Sequence, residues 1–259
     1  MTPRSSRGPA TTSLGLVLTA AIAAGFAGPA TVRSGPPAGD GTEPAAVDVD
    51  GNVYGGVVIG DQVWLVQNLR VTRYRDGTPI PLVRDEATWC ALTTGAYCPP
   101  DAGRQPPRAA LGLLYNFHAV ASARGLCPAG WHVPAAAEWR AAIELLGGND
   151  VAGGRMKETR SGSWRTPVPG TTNESGFSAL PAGGRGRYGA AADGGLYATW
   201  WSSSAHDAAS AWHWGLYPDS HGIRSNPGHM ASGFSVRCVR DSSGPPTRGL
   251  PGGDQPRTP

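Results

Sequence analysis

Two segments, LCPAGWHVPAAAEW at Leu126–Trp139 and GFSVRCVRD at Gly233–Asp241, constrain this chain more than any other feature. Each sets one cysteine among bulky apolar residues, and a long stretch of chain separates them. In GFSVRCVR the period-two rule of a strand groups Phe234, Val236 and Cys238 on one side, while Ser235 and Arg237 face away. Cys238 is therefore expected to point into the core. A bridge to Cys127 would clamp the middle of the chain to its last strand, contributing about 4–5 kcal/mol in the chain-entropy account of so long a loop.

Four cysteines allow three pairings. With Cys127 joined to Cys238, the remaining Cys90 and Cys98 are close in sequence, and a second bridge between them is expected. A zinc site would need close-spaced Cys or His pairs, and neither CxxC nor HxxxH occurs.

Disulfides imply an oxidising compartment, and the start of the chain agrees. Arg4 and Arg7 precede an uncharged apolar run, Leu14–Phe26, followed by the small residues Ala27, Gly28 and Ala30. That is the layout of a secretory signal peptide over 1–30, too short for a membrane span. No cysteine stands at the cleavage point for a lipid anchor, so a secreted, extracellular protein without stable membrane insertion is expected. Residues 31–46 and 242–259 are rich in Pro and Gly without apolar periodicity and read as a linker and a tail lacking fixed structure. Between them, 47–241 suffices for one domain with a sizeable core.

The chain carries 22 basic and 19 acidic residues, and Lys157 is a single lysine among arginines. The arginines are scattered among Gly and Pro rather than gathered in a stripe, so no nucleic-acid partner is expected.

Alternating apolar residues on either side of Gly60-Asp61, in VYGGVVIGDQVWLVQNL at Val53–Leu69, predict an early β-hairpin. Spacing of Leu114, Phe117, His118 and Ala121 predicts a helix over 113–123. A second helix is predicted from Pro134, with Trp139, Ala142, Ile143 and Leu146 on one stripe and Gly147-Gly148 as its stop. After Val151 the pattern changes to short strands and Gly-rich loops. In AWHWGLY, alternation puts Trp212, Trp214 and Leu216 on one side and His213 and Tyr217 on the other.

DGNVYGGVVIGDQVWLVQNLR, DGTPIPLV, LYNFHAV, LCPAGWHVPAAAEW, GGRMKET, TNESGFSALPAGG, WWSSS and GFSVRCVRD follow one another in an order that resembles the Fibrobacter succinogenes major paralogous domain, over nearly all of 47–241. The resemblance implies an α+β fold of the C-type-lectin-like group that also holds the formylglycine-generating, sulfatase-modifying enzymes. A small antiparallel sheet would join the N- and C-terminal strands, with two helices and a long loop-rich half. The family carries no assigned activity, and fold does not fix function. Ala135 stands where the family often has a capping residue, and Cys90 is not a family position, which leaves the Cys90–Cys98 bridge less secure than the long-range one.

Candidate chemistry centres on aromatic residues, whose flat faces and polar edges suit sugar rings or protein anchors. Tyr197, Trp200, Trp201, Trp212, Trp214 and Tyr217 are the binding candidates, set against the blander reading that most of them are core. Adjacent Trp200 and Trp201 face opposite sides of a strand, so only one is expected in the core.

Asp48, Asp50 and Asn52 in DVDGN could offer calcium ligands, but Ile59 stands where an EF-hand loop needs its acidic twelfth residue, and a turn at Asp50-Gly51 is the simpler reading. No cofactor is expected, and calcium at an irregular loop stays unassigned. His206, His213, His221 and His229 recur without an acidic partner, and no GxSxG or HExxH is present. A non-catalytic binding or surface-interaction module for an extracellular glycan or protein is the expectation. The alternative is an enzyme of the formylglycine-generating type, with reactive cysteines and copper.

Overall fold

The computed structural model describes residues 45–100, 108–166, 168–189, 191–192 and 194–241. The expected signal peptide, linker and tail lie outside the described residues, except that Ala46 of the linker already belongs to the first strand. That strand, β1 (Ala46–Val47), pairs with β2 (Val53–Tyr54) around the DVDGN turn.

The hairpin predicted at Gly60-Asp61 is formed by β3 (Gly56–Ile59) and β4 (Gln62–Leu65). Ile59 faces Gln62 across a two-residue loop, and Gly60 takes φ +62°, a conformation costly for a residue with a Cβ.

The chain then runs through α1 (Glu86–Cys90), β5 (Tyr97–Cys98), α2 (Arg108–Leu111), β6 (Leu114–Asn116), α3 (Phe117–Val120), α4 (Ala136–Leu145) and α5 (Ala152–Met156). It continues through β7 (Gly184–Arg185), β8 (Ala191–Ala192), β9 (Ala198–Ala205), β10 (Ser210–Leu216), β11 (Ile223–His229), β12 (Gly233–Phe234) and β13 (Val239–Asp241).

The α+β expectation with a C-type-lectin-like fold is overturned. Among the described residues there are thirteen strands in four small sheets, and of five helices only α4 exceeds five residues. The helix expected over 113–123 is mostly absent. Leu114–Asn116 is instead a strand held between β5 and β12, and Asn116 caps a single turn by accepting the Ala119 N–H. Sheet partners on both sides outcompete a weak helical pattern.

The helix predicted from Pro134 does form. Ala135, lacking a side-chain acceptor, leaves only half of a capping box, in which Glu138 reaches back to accept the Ala135 N–H at 2.7 Å.

β13 pairs antiparallel with β4, so the last strand shares a sheet with the Gly60-Asp61 hairpin. Cys127 and Cys238 are bonded, with Cα atoms 5.9 Å apart. The expected Cys90–Cys98 bridge is absent and both thiols are free. Trp89 at the end of α1 is buried, which turns its neighbour Cys90 toward solvent, whereas Cys98 on β5 points into a cluster with Leu111, Leu114 and Ala182.

Two large clusters fill the interior on either side of β9. Trp201 packs edge-on against Phe117 at 5.4 Å in one, and Trp200 lies with Trp139, Phe177 and Trp214 in the other. Both tryptophans are fully buried, against the expectation that one would face outward.

Arg237, expected to face away from the core, is 1% exposed. It does point away from Val236 and Cys238, but onto Phe177 and Trp200 of the other cluster rather than into solvent.

Candidate functional site

Of the six aromatic candidates, Trp200, Trp201 and Trp214 belong to the core. Trp200 donates its indole N–H to Asn68 Oδ1 at 2.8 Å, Trp201 donates to the Tyr115 carbonyl at 2.8 Å, and Trp214 stacks on Trp139 with centroids 5.6 Å apart. Three remain half-buried. Trp212 packs against the second cluster with His206 edge-on to it at 4.7 Å, while Tyr197 and Tyr217 meet edge-to-face at 5.6 Å. Tyr197 and Tyr217 are the pair that the fold brings together at the surface. They extend from the ends of β9 and β10, a strand pair joined through Leu216 and Ala198.

A cleft of about 330 Å³ opens in the loop after α5, lined by Lys157, Glu158, Ser163, Trp164, Thr166 and Thr171 among others. Its position follows from the approach of α5 to the 221–222 loop. Gly153 lies so near the Gly222 carbonyl that a Cβ there would stand 2.3 Å from the oxygen. Lys157, next in line, is 2% exposed and donates from Nζ to the carbonyls of Tyr217 (2.5 Å) and Ser220 (2.7 Å). Its ammonium lies 4.7 Å from the Trp164 ring centroid. The Arg165 N–H donates to the Gly195 carbonyl just before Tyr197. One loop is thereby tied to the backbone beside both tyrosines.

Burial pushes the Lys157 ammonium down to about 8, with Asp219 opposing the shift. Burial pushes the Glu158 carboxyl up, but hydrogen bonds from Ser161 and Arg160 outweigh it and hold the group below the ordinary range. The cleft thus sets a buried cation and a fixed anion beside hydroxyl groups and one indole. Sequence reasoning passed over Lys157 and Trp164, although a lone lysine in GGRMKET was a usable signal.

The other candidates are spent on structure. Asp48 accepts from the N–H groups of Asp50 and Asn52, from Asn52 Nδ2 and from the Tyr54 hydroxyl. The DVDGN segment is therefore a hydrogen-bonded turn, and no group of three or more metal-ligating side chains stands together among the described residues.

His213 packs between Trp201 and Phe234, and burial pushes it down to about 4. His221 bonds the Pro169 carbonyl at 2.9 Å, and the His229 ring accepts the Ala231 N–H. The four histidines do not converge. Glu138 pairs with His132 at 2.7 Å while capping α4.

The family model described as Fibrobacter succinogenes major domain matches residues 57–240. No curated protein and no solved structure matches the chain. No helix among the described residues is long and apolar enough to cross a membrane.

Proposed function

We propose, since the chain belongs to the Fibrobacter succinogenes major domain family, that it is an exported, non-catalytic binding module whose ligand is an extracellular glycan. The observation that carries this reading is the Tyr197–Tyr217 pair, half-buried and edge-to-face, beside a hydroxyl-lined cleft. Rings held on sheet ends present flat apolar area and a polar edge at little entropic cost, as stacking on a sugar requires. The cleft lies at the small end of the usual range for ligand sites, about 300–1,000 Å³, which suits a short saccharide segment better than a protein epitope.

The disulfide supports export into an oxidising compartment. Against catalysis stands the occupation of each chemically able group in the cleft: the Lys157 amine is held by two carbonyls, and the Glu158 carboxylate by a turn.

The enzyme reading rests on the free Cys90 and Cys98. Cys98 is buried, which pushes its thiol up and away from the reactive thiolate. Copper analysis of the purified protein separates the two readings, because stoichiometric copper with loss of both thiols would favour the enzyme.

The direct test is a panel of uncharged cell-wall polysaccharides with the unsubstituted chain and a Tyr197→Ala/Tyr217→Ala variant. Base or sugar stacking on one aromatic ring is worth about 1–3 kcal/mol by analogy with nucleic-acid platforms, so the double variant should bind at least about tenfold more weakly. Undiminished binding would remove the tyrosines from the site, and failure to bind any polysaccharide would turn the reading toward an extracellular protein ligand.

A further inference from the structure

A second groove, of about 350 Å³, lies apart from the cleft residues and is lined by Arg70, Thr72, Leu82, Arg84, Tyr97 and Leu113 among others. We propose that it binds the carboxylate-bearing rings of a uronate polysaccharide, with Arg70 and Arg84 taking the carboxylates and Tyr97 the sugar face. This goes beyond the reading above, since neither Tyr197 nor Tyr217 lines it.

The two arginines are prepared differently. Arg70 is fixed: its Nε donates to Asn52 Oδ1 at 2.9 Å and its guanidinium lies 5.3 Å over the Tyr54 ring. Its Nη1 donors have no protein acceptor among the described residues. Arg84 is exposed and has no ion-pair partner among the described residues.

The acid that acts on Tyr97, Asp50, has partners of its own, which leaves the groove arginines in excess of it. Asp50 is engaged by the Thr72 N–H and hydroxyl and by Arg73 at 3.7 Å. A planar guanidinium fork matches a carboxylate in two parallel hydrogen bonds. Tyr97 is half-buried, and Leu82 beside it is 46% exposed, so the groove pairs cationic edges with apolar area.

An acidic peptide suits the place less well. Tyr97 lies on the outer strand of its sheet, and a peptide would gain most by adding a strand there. That edge is already taken, because the Tyr97 N–H donates to the Pro81 carbonyl and the Tyr97 carbonyl accepts the Val83 N–H. What stays open is side-chain surface, which a sugar ring can use and a strand cannot.

The experiment is calorimetry of the full chain with polygalacturonate, with its fully methyl-esterified form and with poly-L-glutamate. The unsubstituted chain should bind polygalacturonate, weaken as salt rises, and ignore the methyl ester. Arg84→Ala should lose about tenfold to a hundredfold, as expected for hydrogen bonds to a charged group. Tyr97→Leu should lose affinity too, with thermal unfolding of both variants checked against the unsubstituted chain.

Tyr197→Ala/Tyr217→Ala should keep its affinity for polygalacturonate, which separates this groove from the tyrosine pair. No binding of polygalacturonate, equal binding of the ester, or unchanged affinity in Arg84→Ala would overturn the proposal. Binding of poly-L-glutamate as tight as that of polygalacturonate would overturn it in favour of an acidic peptide.

Discussion

Arg237 donates from Nε to Asn68 Oδ1 at 2.8 Å across 169 positions of sequence, and it does so wholly buried with no carboxylate bonded to it among the described residues. Its remaining donors meet the carbonyls of Leu65, Phe177 and Ser178, and the guanidinium lies 4.2 Å from the Phe177 ring centroid. Burial pushes it down to about 9, still charged at neutral pH. Lys157 and Arg185 repeat the arrangement: Arg185 bonds four backbone carbonyls and lies 4.3 Å over Trp89. Loops without regular structure are thus tied down by cations that collect main-chain carbonyls which no helix or sheet satisfies.

Replacing Arg237 by lysine tests that device. One ammonium cannot span Asn68 and three carbonyls in different segments, so buried acceptors lose their donors at about 1–3 kcal/mol each. Arg237→Lys should lose about 2–4 kcal/mol in urea unfolding, and a variant as stable as the unsubstituted chain would show that the carbonyls do not need the fork.

The thiols can be counted. Without reductant, the native chain should expose one reactive thiol, Cys90. Denaturant should release a second, Cys98, and reduction two more from the Cys127–Cys238 bridge. Cys238→Ser should cost about 4–5 kcal/mol in the loop-entropy account. Native titration of no thiol would indicate the short-range bridge after all.

Lys157 predicts an unusual alkaline behaviour. Its amine deprotonates near 8 in the folded chain but near the ordinary lysine value, about 10.4, when unfolded. Between those values the unfolded state binds the extra proton, so stability rises with pH through this window, by at most about 3 kcal/mol. Lys157→Met should flatten the rise in a series of unfolding curves, and a slope shared by both proteins would assign it elsewhere.

Asp48 makes a prediction about metal. Both of its carboxylate oxygens already accept protein hydrogens, one pair from the backbone and one from Asn52 Nδ2 and Tyr54. Calcium or chelator should leave the melting temperature unchanged, whereas Asp48→Ala should lower it. A calcium-dependent rise abolished by that substitution would restore the metal reading.

What was legible beforehand follows from range. The Gly60 turn and the Ala136–Leu145 helix are written in adjacent residues, and Cys127 and Cys238 announce themselves by chemistry. The fate of Leu114–Asn116 was not legible, since it depends on strands contributed by residues 97–98 and 233–234. Alternation at Trp200-Trp201 gave the two directions correctly, but one strand cannot tell that a core lies on each side. The same holds at Arg237, which points away from Val236 and Cys238 as alternation requires but meets Phe177 and Trp200 of the second core instead of solvent. Lys157 was visible as a residue but not as part of a site, because its two acceptors come from Tyr217 and Ser220, far along the chain.

The decisive measurement is a crystal structure with an oligosaccharide taken from the strongest uncharged binder of the polysaccharide panel. Sugar rings should lie against Tyr197 and Tyr217, whose neighbouring backbone is tied to the cleft loop through Lys157 and Arg165. Sugar found only elsewhere on the molecule, with these two side chains untouched, would contradict the account.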